Sequence, residues 1–196
     1  QRQMCIRDSY MDRPDKEWMV NFYSSEWDRG FVRSKEIMIK DVELPEGRIK
    51  GSRREAFLAT IELGVDKSRS VCDIGSGYGQ VMKNFEIAGF TNVVGVGNSL
   101  HRAKLVQEVF DLPVVHGDFG SREVEEALKK YAPFGIMFCH HVFEHVYDPE
   151  KVVESISKLQ KNGDYAVFAM PNSVGEHINY GMLYLLHLHS FNTVSY

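Results

Sequence analysis

The sequence predicts an α/β protein: a doubly wound, mainly parallel sheet preceded by an N-terminal helical extension. Two observations lead there. From Val71 onward, five short apolar runs alternate with stretches whose apolar residues recur three, four and seven positions apart, the spacing that gathers side chains on one helix face. The runs themselves are apolar throughout, as in strands covered on both sides. Alternation of this kind implies right-handed crossovers and helices on both faces of a parallel sheet.

In chain order, Gln1–Ser9 is polar and lacks the apolar centre of a signal peptide. It is expected to be an unstructured or foreign leader, outside the fold. Residues 10–64 are expected to form a helical cap. Pro14 followed by Asp15 and Glu17 marks a helix start, and Trp18, Met19, Phe22 and Tyr23 make one apolar stripe. That stripe either packs onto the sheet domain or closes over a ligand. A second helix is expected from Ser52 to Leu63, stopped by Gly64. The nearby Lys50, Arg53 and Arg54 read as a solvated helix face.

Residues 65–196 are expected to be the α/β domain. Its strands are expected at Val71–Ile74, Val93–Val96, Pro113–His116, Phe134–Phe138 and Tyr165–Met170. Helical spacing lies between them at Val81, Phe85 and Ala88, at Val106, Val109 and Phe110, and at Val124, Ala127, Leu128 and Tyr131. Val152, Ile156 and Leu159 continue the series. No sixth strand is visible before Tyr196, so the domain is expected to lack its last strands. His187 and His189 read as surface residues of a terminal helix.

Composition narrows the function. The 23 basic and 27 acidic residues give a net charge of −4, which argues against a nucleic-acid phosphate binder with its basic face. The three cysteines, Cys5, Cys72 and Cys139, are too few for a disulfide framework. A reducing cytoplasm is the simplest compartment. No apolar run reaches the ~18 residues of a membrane span.

The most informative stretch is Asp73-Ile74-Gly75-Ser76-Gly77-Tyr78-Gly79. Here a buried strand runs into three alternating glycines and then a helix. In a parallel sheet this turn lies at the carboxyl end of the strand, where ligands bind. A dinucleotide site would need Gly-x-Gly-x-x-Gly and an acid about twenty positions on. The third glycine comes one place too early for that, and the acid precedes the loop. A carboxylate ahead of the bend suits a ligand with cationic groups, such as the ammonium and sulfonium of S-adenosylmethionine.

At these residues the chain resembles the class I S-adenosylmethionine-dependent methyltransferases of the small-molecule type, over roughly Val71–Asn172. The glycine stretch looks like their first motif, and Gly117-Asp118-Phe119 like the segment after their third strand. Phe143–Pro149 is similar to the stretch after the fourth strand, and Lys161-Asn162-Gly163-Asp164 to the turn before the fifth. The resemblance implies a Rossmann-like methyltransferase fold, S-adenosylmethionine as cofactor and a small-molecule methyl acceptor. It also implies roles. Asp73, Gly75, Ser76, Gly77, Tyr78 and Gly79 would position the methionine part, Asn98 and Ser99 the ribose side, and Asp118 with Phe119 the adenine. Cys139 or His140 would lie near the methyl.

Two positions depart from the family pattern. Gly97 stands where an acid usually holds the ribose hydroxyls. Hydrogen bonds to charged groups are worth roughly 1.5–3 kcal/mol, so its loss weakens binding roughly tenfold to a hundredfold. Gly97 also keeps alive a competing reading, a catalytically inert methyltransferase-like binding module. Gly135 stands where an aspartate commonly begins the fourth strand, a loss read as structural.

His140, His141, Glu144 and His145 form the densest titratable cluster. Taken literally, His141-x-x-Glu144-His145 is the inverted zinc-peptidase motif, which needs a helix presenting both histidines and a third ligand. The cluster instead follows an apolar strand directly, and no metal site is expected. The divalent-cation stretch of some quinone-pathway O-methyltransferases, which this segment resembles, is matched only at Glu144 and His145. Glu144 reads as a partner of the following helix or an anchor for the loop. His141 or His145 is the expected general base, since histidine is the side-chain type suited to proton transfer near neutral pH.

Overall fold

The computed structural model describes residues 14–26, 33–43 and 51–171. The leader, Lys50, His187 and His189 lie outside them. Among the described residues three helices come first: α1 (Lys16–Asn21), which runs on into a π turn at Phe22–Glu26, α2 (Lys35–Glu43) and α3 (Gly51–Glu62). The Asp15 carboxylate accepts from the Trp18 backbone amide at 2.7 Å and so starts α1.

Strands and helices then alternate: β1 (Ser70–Ile74), α4 (Gln80–Ile87), β2 (Val93–Gly97), α5 (Leu100–Phe110), β3 (Val114–His116), α6 (Arg122–Leu128), β4 (Phe134–His140), α7 (Pro149–Leu159) and β5 (Tyr165–Ala169). A short 3-10 turn, Phe143–His145, separates β4 from α7. All strand pairs are parallel and the order is β3-β2-β1-β4-β5. The expected five strands all form, each within a few residues of the sequence reading.

The sheet separates two cores. On one face Met38, Phe57, Phe85, Val106 and Phe138 bring α2–α5 together. On the other, Cys72, Val124, Leu128, Cys139 and Ile156 join α6 and α7 to the sheet. β1, β2 and β4 are buried along nearly their whole length, whereas β3 and β5, at the edges, are only partly covered. Coverage on both sides therefore holds for the central strands and not for the outer two. Among the described residues no helix is long and apolar enough to cross a membrane.

The order reverses at β1, with β2 on one side and β4 on the other. This is the switch point where a crevice opens beyond the strand ends.

Candidate active site

A cavity of about 480 Å³ opens at that point, lined by Gly75–Gly77, Gly97–Ser99, Gly117–Phe119 and His140–Val142. Its volume falls within the 300–1,000 Å³ range of small-molecule sites. Lys16, Met19, Val20 and Tyr23 also line it, so α1 and its π turn cover the opening. A second cavity of about 250 Å³ shares Gly75–Gly77, Arg53, Arg102 and His140, and adds Asp73, Arg33 and Tyr78.

The bend between β1 and α4 depends on two glycines for different reasons. Gly75 has φ 76°, and a Cβ there would stand 2.2 Å from Val142 Cγ2; only a missing side chain lets the two loops meet. Gly77 has φ 53°, and its Cβ position is open apart from the Gly75 carbonyl at 4.0 Å. Its backbone is bare toward the cavity. Between them Ser76 is buried, and its Oγ has no hydrogen-bond partner among the described residues. A buried, unmatched hydroxyl in a cavity wall is a place for a polar ligand atom.

Two carboxyls flank this surface. Asp73 is 3% exposed, and burial pushes its pKa up to about 7, with the Arg53 guanidinium pulling the other way. Burial also raises Asp118, against the opposing effects of Lys16 and of a hydrogen bond with the Asn98 side chain. Lys16 Nζ stands 3.8 Å from Asp118 Oδ2. Ser99 turns inward as the N-cap of α5, its hydroxyl accepting from the Arg102 amide at 3.2 Å.

The histidine cluster follows β4. His140 Nε2 lies 3.2 Å from Ser52 Oγ, and burial, then the neighbouring His141 and Arg53, push its pKa down to about 4. It is therefore neutral at physiological pH. His141 adopts φ 52°, unusual for a residue with a Cβ, and its backbone amide donates to the Ala169 carbonyl at 2.8 Å. His145 sits edge-on to Tyr23 at 5.9 Å. Among the described residues no group of three or more His, Cys, Asp or Glu could hold a metal ion. Of the His-x-x-Glu-His residues, Glu144 and His145 lie on a 3-10 turn and His141 precedes it, so no α-helix presents both histidines.

A family model for a methyltransferase domain matches residues 49–194. The chain belongs to this methyltransferase family. The match begins ahead of α3 and so includes that helix. Among solved structures, a protein of Bacillus halodurans C-125 named as a candidate methyltransferase has a TM-score of 0.55 at 17% identity, covering 72% of this chain and 64% of that one. An S-adenosylmethionine-dependent methyltransferase of Clostridium acetobutylicum ATCC 824 has a TM-score of 0.51 at 16% identity, covering 70% and 57%. At such identities these likenesses show the Rossmann-like fold. The chain spans about half the length of the solved structures it resembles. No curated protein matches it.

Most of the residues singled out in the sequence line one of the two cavities: Asp73, Gly75, Ser76, Gly77, Tyr78, Asn98, Ser99, Asp118, Phe119, His140, His141 and His145. Cys139 and Gly79 line neither. Cys139 is next to His140 in a strand, so its side chain points to the opposite face, where it joins the α6–α7 core. Burial drives its thiol pKa far up. Gly79 faces Val106, 2.8 Å from where its Cβ would be, and serves helix packing. Tyr78 lies on the outer side of the bend, its ring under the Arg102 guanidinium at 4.6 Å. Phe119 is buried in the α6–α7 core as well as touching the cavity.

Arg53, expected on a solvated face, is exposed on α3 yet lines both cavities. Lys16, Arg102 and Tyr147 were not legible as site residues. The signal available was amphipathic spacing, which marks core positions and is silent on polar residues at a helix end. The aromatic stripe divides: Met19 and Tyr23 roof the cavity, while Trp18 stays exposed and stacks on Phe22 at 5.1 Å.

Proposed function

We propose that this chain is an S-adenosylmethionine-dependent methyltransferase acting on a small-molecule acceptor in the cytoplasm. The observation that carries the reading is a pair of cavities that share the Gly75–Gly77 bend: Asp73 lines one, Asp118 lines the other, and the bare backbone of Gly77 and the unmatched Ser76 hydroxyl belong to both. These residues fit a long ligand with a cationic group at one end and a hydrogen-bond donor at the other. S-adenosylmethionine, when bound, supplies a methyl already activated by its sulfonium. The chain's own part is then alignment and exclusion of water.

In this reading Asp73 and the Gly75–Gly79 bend hold the methionine part. Asn98 and Ser99 lie on the ribose side, and Asp118 with Phe119 at the adenine. His140 lies near the transferred methyl, and His141 or His145 takes a proton from the acceptor. The roof of Met19, Val20 and Tyr23 keeps water from the reacting atoms. The buried free thiols of Cys72 and Cys139 suit a reducing compartment.

Calorimetry with S-adenosylmethionine tests the reading: binding in the micromolar range is expected, and Asp73→Ala abolishes it. The competing reading, an inert binding module, rests on Gly97, which offers the ribose no carboxylate. Radiolabelled methyl transfer to a metabolite mixture separates the two, since any labelled product rules out the inert module. Absence of binding heat from the intact chain overturns both.

A further inference from the structure

We propose that Glu144 and His141 form a proton-accepting dyad, and that the acceptor is accordingly a hydroxyl-bearing molecule methylated on oxygen. The proposal rests on the methyltransferase reading above and names the substrate class for that same site.

Glu144 is only 2% exposed. A buried carboxylate costs free energy unless it is partnered, and the ion-pair partners at hand are imidazoles. His141 Nδ1 stands 3.2 Å from Glu144 Oε1 and His145 Nε2 stands 3.9 Å from it. Burial alone would raise this carboxyl. Neither carboxylate oxygen has a full hydrogen-bond partner among the described residues, yet the close approach of His141, the residue's own backbone amide and the charges of His145 and His141 outweigh burial and hold it below the ordinary glutamate range. It is therefore a fixed anion within the loop.

The backbone aims the pair. The left-handed conformation of His141 is pinned by its bond to Ala169, and strain of this kind persists where surroundings over-determine it. With Nδ1 turned to Glu144, Nε2 is the edge left for the cavity that His141 lines. The hydroxyl of Ser52 already approaches that atom, at 3.5 Å. His145 is less suited, because its Nε2 is the atom nearest Glu144. A base within reach of the substrate and oriented by a third group is a recurrent arrangement in proton and nucleophile chemistry.

The dyad selects the acceptor class. A carboxylate acceptor has no proton to lose at neutral pH, and an amine attacks as the free base that it forms in equilibrium with water and can shed its surplus proton to water after transfer. A hydroxyl must lose its proton as the new bond forms. The acceptor oxygen gains the methyl carbon while its proton passes to His141 Nε2, and the sulfonium electron pair returns to sulfur as a neutral thioether. The imidazolium that results lies against the buried Glu144 anion, while its own ring keeps contact with solvent.

The test uses the full chain, isotopically labelled at histidine nitrogen. In the unmodified protein, nitrogen NMR is expected to show neutral His141 as the Nδ1–H tautomer, and Glu144→Gln is expected to erase that preference. With catechol and benzylamine as probes, radiolabel is expected in catechol. The rate should fall about a hundredfold in Glu144→Gln and His141→Gln, with affinity for S-adenosylhomocysteine unchanged within about twofold. An Nε2–H tautomer in the unmodified chain overturns the dyad without any variant. Label in benzylamine alone, in neither probe, or at undiminished rate in the variants overturns it as well, while homocysteine-nucleoside binding persists. Loss of that binding in the unmodified chain removes the underlying methyltransferase reading instead, and the dyad with it.

Discussion

A Cβ placed on Gly97 would meet a single neighbour, Ser76 Oγ at 3.8 Å, in otherwise open space. The position where relatives by resemblance carry a ribose-binding acid is therefore vacant without being filled by anything else. Gly97→Asp is expected to raise affinity for S-adenosylhomocysteine roughly tenfold to a hundredfold, the reverse of the loss expected from a missing charged hydrogen bond. Calorimetry on the variant checks it. Unchanged or weaker binding would show that the ribose does not reach β2.

Gly135 answers differently to the same kind of change. A Cβ there would lie 2.7 Å from Arg69 Cβ and 3.0 Å from Val65 Cγ1. Arg69 in turn holds the nearly buried Asp164 at 2.6 Å. Gly135→Ala is thus expected to destabilise the fold by about 1–3 kcal/mol through overpacking, with ligand affinity unaltered. Urea unfolding gives the number, and a neutral result contradicts the packing described at that strand start.

Asp73 makes both stability and binding depend on pH. Its folded pKa of about 7 lies above the ordinary 3.8, so folding retains a proton that the unfolded chain has released. The stability gained from that proton is fully present below about pH 4 and declines as pH rises to about 7, by up to ~1.4 kcal/mol per unit. Asp73→Asn should remove this dependence and be the more stable protein at pH 8. Denaturation curves of both proteins at pH 5 and pH 8 measure the difference, and parallel curves refute it.

The same carboxyl must ionise to hold a cation. Affinity for S-adenosylmethionine is expected to rise with pH toward about 7 and then level off, with net proton release on binding below that point. Calorimetry at pH 6 in buffers of unlike ionisation heat reads the protons directly. Zero release would mean that Asp73 does not touch the cationic group.

Lys16 and Asp118 join the roof to the far wall of the cavity. Both side chains are substantially exposed, and such pairs contribute about 0–1 kcal/mol. Lys16→Ala should leave the unfolding midpoint nearly unchanged yet speed release of S-adenosylhomocysteine severalfold in stopped flow. An identical release rate would show that α1 does not close over the ligand.

The sheet was legible because its signal is local: apolar runs and helical spacing both reflect which side chains must leave water. The place of Asp73 in a cavity wall was legible for a similar reason, as an acid at the end of an apolar strand just before glycines. What escaped was convergence. Lys16 and Arg53 reach a site built around residues 75–145 from segments outside the strand–helix pattern, and no spacing rule links them to it. Cys139 shows the opposite failure. Adjacency to His140 placed it at the strand mouth, but the two-residue period of a strand sends neighbours to opposite faces.

The absent Cβ at Gly75 lets Val142 come down onto the bend between β1 and α4, directly beside His141. The two loops therefore form one mechanical part: whatever settles the first also sets the angle of the second. A bulkier residue at either contact would tilt the neighbouring imidazole without any change to the histidine itself.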